Sequence, residues 1–284
     1  MRIINLIENT EGNAGCISAH GLSFYIETAK HKLLVDLGPS AETLTNAEKL
    51  GVDLKQVDTV ILSHGHYDHS GGILPFAALN QTAAICLQKS ATAAYYADDS
   101  EPGAPPQYRY IGIDEKIAAL PQVRLIDGDC TIDDELSLFV IKARAGRLPL
   151  SNARLKRETG GVFRQDEFDH EHFLVISEGA KRVLVSGCAH NGVLNILKEY
   201  TRRFGAAPDA VISGFHLMKK TEHTAEEIRE IEDTARELTQ YPTVFYTCHC
   251  TGLPAFELMK QILGSQLEYV HSGDEIALSL TEFR

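Results

Sequence analysis

Between Ser63 and Gly72 the chain reads Ser63-His64-Gly65-His66-Tyr67-Asp68-His69-Ser70-Gly71-Gly72. Three histidines and one aspartate fall within six positions. Imidazole nitrogen and carboxylate oxygen are ligands for zinc, iron or manganese. In a tight turn, His64 and His66 reach one ion while Asp68 and His69 face a second. Gly65, Gly71 and Gly72 are expected to relieve crowding where the backbone bends around the ions. A divalent metal with a coordination position open to water acidifies that water to a pKa of about 7. The cluster therefore predicts a metal-dependent enzyme that uses an activated hydroxide.

The elements that must position this cluster are short and alternate in type. Apolar, β-branched runs predict strands at 33–37, 57–62, 83–87, 125–126, 137–141, 210–213, 243–247 and 276–280. Segments 172–177 and 182–185 predict a hairpin about Gly179. Amphipathic segments predict helices at 43–50, 191–204, 224–238 and 253–263. Segment 98–107 holds three prolines and a glycine and predicts a loop. The pattern suits two packed sheets with helices outside, an α+β four-layer αββα sandwich formed by a single domain over 1–284. The strand at 57–62 runs straight into the histidine cluster.

Segment 142–168 stands apart. From Lys142 to Arg164 the basic residues are Lys142, Arg144, Arg147, Arg154, Lys156, Arg157 and Arg164, with Glu158 the only acid among them, in a chain of net charge −12. With Gly146, Pro149, Gly160 and Gly161 it reads as a long loop inserted in the domain, and loops of that length are usually functional or disordered. Guanidinium forks bind phosphate or carboxylate at two points, so Arg154 and Arg157 are candidate contacts to an anionic small-molecule substrate.

Bulk composition excludes other classes. The 284 residues are 44% hydrophobic, enough for a sizeable core, and the acidic balance argues against nucleic-acid binding. There is no leader pattern near Met1 and no apolar run of the roughly 20 residues a membrane span needs. Six scattered cysteines without a secretion signal suggest reduced thiols in a cytoplasmic protein. Cys248 and Cys250, one residue apart, match neither a redox CxxC nor a zinc knuckle. Homo-oligomerisation stays open.

The pattern His64-x-His66-x-Asp68-His69 resembles the signature of the metallo-β-lactamase superfamily. Several flanking motifs recur in this order in one branch of it, the 7,8-dihydropterin-6-methyl-4-(β-D-ribofuranosyl)aminobenzene-5'-phosphate synthase-like proteins. They are His20-Gly21-Leu22-Ser23, Leu34-Val35-Asp36-Leu37-Gly38, Ser186-Gly187-Cys188-Ala189-His190-Asn191-Gly192, Gly214-Phe215-His216-Leu217 and His249-Cys250-Thr251-Gly252. The resemblance implies the αββα metallo-β-lactamase fold, with metals at one edge between the sheets. It also implies that His190 joins His64 and His66 on one ion, and that His249 completes a second with Asp68 and His69. Asp68 would be both a ligand and the orienter of the nucleophile. Cys188 stands where many relatives have a bridging aspartate, either as a thiolate ligand or unligated. Asp36 is expected to hold a ligand imidazole through a hydrogen bond, and His216 to contact substrate or support a ligand. His170 and His172 have metal-like spacing but are explained equally well by an exposed extended chain. His20, His31, His223 and His271 read as structural or surface residues.

The leading expectation is a hydrolase with two divalent ions, zinc before iron or manganese, acting on a phosphoester or related ester. The alternatives are a transferase condensing a dihydropterin diphosphate with a ribosyl-aminobenzene phosphate, and a non-catalytic metal-binding or sensor protein. β-Lactamase and tRNA-precursor nuclease activities are disfavoured by the flanking motifs and by the acidity of the chain.

Overall fold

The computed structural model describes residues 1–12, 14–101 and 103–278. Two seven-stranded sheets face each other. The first holds β1 (Arg2–Ile7), β2 (Ser23–Glu27), β3 (Lys32–Val35), β4 (Thr59–Ile61), β5 (Ala84–Gln88), β8 (Val123–Ile126) and β18 (Glu275–Ile276), in the order β18-β1-β2-β3-β4-β5-β8. The second holds β9 (Cys130–Thr131), β10 (Leu136–Phe139), β13 (Phe173–Glu178), β14 (Lys181–Val185), β15 (Ala210–Ile212), β16 (Val244–Thr247) and β17 (Leu267–Tyr269), in the order β17-β16-β15-β14-β13-β10-β9. Runs β3-β4-β5-β8 and β14-β15-β16-β17 are parallel, while the remaining pairings are antiparallel.

The strands are apolar on both faces because both faces are covered. In β3, Leu33 and Val35 enter the core between the sheets, while Leu34 packs outward. In β14, Val183 and Val185 point inward and Leu184 outward. The outer face of the first sheet is covered by α1 (Glu42–Lys49), α3 (Ile73–Leu79) and α4 (Glu115–Ala118) through Ala47, Ile73, Phe76 and Ile117. That of the second is covered by α5 (Val193–Phe204), α6 (Ala225–Leu238) and α7 (Leu253–Leu263). The four-layer αββα arrangement is thus present. A further one-turn helix, α2 (Tyr67–Ser70), lies inside the histidine cluster.

The expected strands and helices are present within a few residues. Helix α5 begins at Val193 rather than at 191 because Gly192, at φ 87°, turns the chain first. The closing strand spans only Glu275–Ile276 where 276–280 was expected, and Leu280 lies outside the described residues.

The basic segment corrects the loop reading. It holds β11 (Leu155–Thr159) and β12 (Val162–Gln165), which join β6 (Ala94–Asp98) and β7 (Tyr108–Tyr110) in a four-stranded sheet ordered β12-β11-β6-β7. Gly160 and Gly161, both at positive φ, form a two-residue hairpin turn closed by the Thr159–Val162 pair. Such turns need left-handed conformations that glycine adopts freely. The glycines that looked like loop punctuation are the hairpin signal. Among the described residues, no helix is long and apolar enough to cross a membrane.

Candidate metal centre

The parallel strands of both sheets end at the same edge. There, β3 delivers Asp36, β4 the 63–69 segment, β14 Cys188 and His190, β15 His216, and β16 His249. The turns are sharp. Among the described residues, the only non-glycine positions at positive φ are Asp36, Phe168, Ala189, His216 and His249. Each such position costs on the order of 1 kcal/mol, and all five lie at this edge. Phe168 stacks on the His190 ring at 4.7 Å. The glycines of the cluster relieve crowding against neighbouring backbone. A side chain at Gly65 would bring its Cβ within 2.6 Å of the Ala91 carbonyl, and one at Gly71 within 1.9 Å of the Pro39 carbonyl. They let neighbouring backbone pack close.

His64, His66 and His190 are brought together, with donor atoms within 4.8 Å of one another. The Nε2 atom of each is buried and has no hydrogen-bond partner. A buried polar atom left unpaired is costly, so three converging on one point suit a bound cation. Neighbouring groups also dictate the tautomers. Ser63 Oγ donates to Asp36 Oδ2 at 2.7 Å, so it accepts from His64 Nδ1 at 2.9 Å. Asn152 donates through Nδ2 to the His190 carbonyl at 2.7 Å, which turns its Oδ1 to accept from His190 Nδ1 at 3.0 Å. In both rings the Nε2 lone pair is left facing the cavity. Burial, reinforced by the neighbouring imidazoles, holds His64 and His190 well below the usual imidazole range. Burial and His170 hold His66 at about 3. All three are neutral, the form that ligates.

The second group is also assembled. Asp68 Oδ2 lies 3.4 Å from His249 Nε2 and 3.7 Å from His69 Nε2. Burial pushes the Asp68 carboxyl up, but the His69, His249 and His20 rings outweigh it and hold it well below the usual carboxylate range. Asn9 Oδ1 faces His249 Nδ1 at 2.8 Å. Asp36 Oδ2 faces His69 Nδ1 at 2.6 Å, the contact expected of a residue that orients a ligand ring. Burial pushes the His69 ring down, but Asp36 and Asp68 prevail and raise it to about 9. Cys188 Sγ lies 3.1 Å from His69 Nε2.

Four buried side chains hold the backbone of these turns. Asp36 Oδ1 accepts from the Ser63 amide at 2.7 Å, and His170 Nδ1 from the Gly65 amide at 2.9 Å. Glu171 accepts from the His190 and Asn191 amides, both at 2.8 Å, and Glu8 from the His249 amide at 2.8 Å. Asp166 in turn holds His170 Nε2 at 3.0 Å. The sequence reading missed Glu8, Glu171 and Asp166, because a lone acid far along the chain carries no local signal. The exposed extended chain that explained His170 and His172 as well as metal-like spacing is not present, since both are buried. His20 is half exposed at the cavity mouth, 3.5 Å from Asp68 Oδ2.

The edge opens into a cleft of about 860 Å³ whose floor includes His66, Asp68, Cys188, His190, His216 and His249. His216 meets Ser151 Oγ at 2.8 Å, and burial lowers its ring to about 3. Arg109, Arg154, Lys219 and Lys220 line the wall. Asp99 pairs with Arg109 at 2.6 Å and with Arg154. Arg157 is not brought to the cleft. It pairs with Asp169 at 2.9 Å and sits over the Tyr95 ring.

Residues 19–146 match the model of the metallo-beta-lactamase superfamily. A 7,8-dihydropterin-6-methyl-4-(beta-D-ribofuranosyl)-aminobenzene-5'-phosphate synthase of Methanocaldococcus jannaschii is 27% identical, over 96% of this chain and 95% of its own. An uncharacterized protein of the same organism is 26% identical over 96% of this chain and 98% of its own. Among solved structures, Tm1679, described as a metal-dependent hydrolase of the beta-lactamase superfamily, superposes with a TM-score of 0.79. It is 29% identical, over 98% of both chains.

Proposed function

Since the chain belongs to the metallo-β-lactamase superfamily, we propose that it is a cytoplasmic hydrolase that binds two divalent ions, zinc foremost, and cleaves a phosphoester or related ester of an anionic small molecule. The observation that carries this reading is the convergence of three buried, unpartnered Nε2 atoms on one point at the floor of an open cleft. His64, His66 and His190 would hold one ion, and Asp68, His69 and His249 the other. When bound, such ions acidify water and polarise the electrophilic centre.

The protein's own groups supply the rest. Asp68, held below the usual carboxylate range, would orient the attacking water and take its proton. The wall carries Arg109, Arg154, Lys219 and Lys220 beside Asp99, Glu227 and Glu230, and the guanidinium forks of Arg109 and Arg154 would give an anion two-point contact. The free cysteines fit a reducing compartment. The test is metal analysis of protein purified without added metal, followed by a panel of phosphomonoesters, phosphodiesters and neutral esters. Protein that retains no ion and hydrolyses none of them would sink the reading.

One observation favours a second reading. The synthase relative spans nearly the whole chain, so condensation of a dihydropterin diphosphate with a ribosyl-aminobenzene phosphate in the same cleft is the alternative. A product assay separates the two readings, because only condensation forms a new carbon–nitrogen bond and releases diphosphate.

A further inference from the structure

Cys188 and Cys250 lie side by side on the loops that follow β14 and β16. Their sulfurs and a ring nitrogen of His249 are within 4.8 Å of one another. Both thiols are buried, yet both line the cleft. Cys250 Sγ donates to the Cys188 carbonyl at 3.5 Å and receives the His216 amide at 3.3 Å. His249 is fully buried, and its Nε2 makes no hydrogen bond, with Asp68 Oδ2 3.4 Å away. Asn9 donates through Nδ2 to the His249 carbonyl at 3.4 Å, so its Oδ1 accepts from Nδ1 and the Nε2 lone pair faces the cavity. Room for the second sulfur depends on Gly214, where any Cβ would lie 2.4 Å from Cys250 Sγ.

Two sulfurs and an imidazole nitrogen form a soft donor set, which favours zinc and cadmium over manganese. It shares His249 with the hard set of Asp68 and His69. We propose that Cys188, Cys250 and His249 form a thiolate-rich site for a thiophilic divalent ion, so that two sulfurs contribute to the second metal position. This rests on the reading that the cleft binds metal and adds which ion its second position selects. On binding, each thiol forms a metal–sulfur bond and gives its proton to solvent, with no change of oxidation state.

The test is to strip the full-length protein with a chelator and titrate it with cadmium, following the ultraviolet charge-transfer band of cadmium–thiolate bonds alongside bound stoichiometry. The wild type is expected to develop the band, Cys250→Ser to lose about half of it, and the Cys188→Ser/Cys250→Ser pair to lose it all. Cys250→Ser is also expected to weaken zinc binding about tenfold or more while leaving manganese binding unchanged. Circular dichroism checks that each variant is folded, and Cys188→Ser alone serves if Cys250→Ser is not. A full band in Cys250→Ser, or bound cadmium without any band in the wild type, overturns the thiolate site while leaving the three-histidine site standing. A wild type that binds no ion overturns both readings.

Discussion

The two edges of the sandwich use histidine in opposite ways. At the far edge, His31 precedes β3 and is held at both nitrogens, by Asp58 at 2.8 Å and by Asp133 at 2.8 Å. Asp58 belongs to the first sheet's side and Asp133 to the turn between β9 and β10, so the ring ties the two sheets together. Burial lowers its basicity, but the two carboxylates prevail and raise its pKa. At the metal edge, His64, His66 and His190 have no carboxylate on the nitrogen that faces the cavity, and burial keeps them neutral. One edge spends its polar groups on holding the sheets together. The other keeps lone pairs free, at the cost of unpaired buried atoms and left-handed backbone. The ring paired at both nitrogens ties the sheets, and the three left unpaired at Nε2 converge at the cleft.

Breaking the unpaired side should give the largest effect. His190→Ala is expected to cut metal-dependent turnover about a thousandfold or more, roughly 4 kcal/mol of transition-state stabilisation, and to lower bound metal in the same samples. Less than a tenfold loss would show that the three rings do not act as one unit. Next, Asp36→Asn leaves His69 in place but removes its carboxylate partner, and should weaken metal affinity or activity by about 10- to 100-fold, read by chelator competition. Arg154→Ala, on the cleft wall, should raise KM for anionic esters roughly tenfold while leaving neutral esters unchanged. Arg157→Ala, turned away toward Asp169, should change neither.

The smallest effect belongs to the paired side. His31→Gln should leave turnover unchanged and lower stability only modestly, on the order of 0.5 kcal/mol, because the ion pairs are partly exposed. Its folded pKa is raised, so the stabilisation is fully present below the unfolded value of about 6.5 and is lost as pH rises through the folded pKa. The difference in unfolding midpoint between wild type and variant should therefore be larger at about pH 5.5 than at about pH 9. A difference that grows with pH would contradict this account.

Legibility in the sequence followed the same division. The strand at β4 and the cluster after it are local, so the spacing of His64, His66, Asp68 and His69 carried them. Helix α7 and the β13–β14 hairpin were also legible, since periodicity and a turn glycine mark them. Strand β11, with the sequence Leu155-Lys156-Arg157-Glu158-Thr159, was not, because a polar strand on a cap sheet has no apolar alternation. Glu171, Glu8 and Cys250 acquire meaning only across the fold. Glu8 meets the His249 amide over 241 positions of separation. Arg154 and Arg157 looked equivalent on the page, but they part because strand β11 begins between them.

The backbone anchors have one more consequence. Glu8, Asp36, His170 and Glu171 hold the ligand-bearing turns by contacts that involve no ion. Metal capture would then be docking into a cage already built, unlike a zinc finger that exists only once its metal arrives. Little chain ordering accompanies capture, so ion exchange through the open cleft becomes a matter of supply and residence time. At the three-histidine position, the ion held would then follow what the cell offers at the moment of filling.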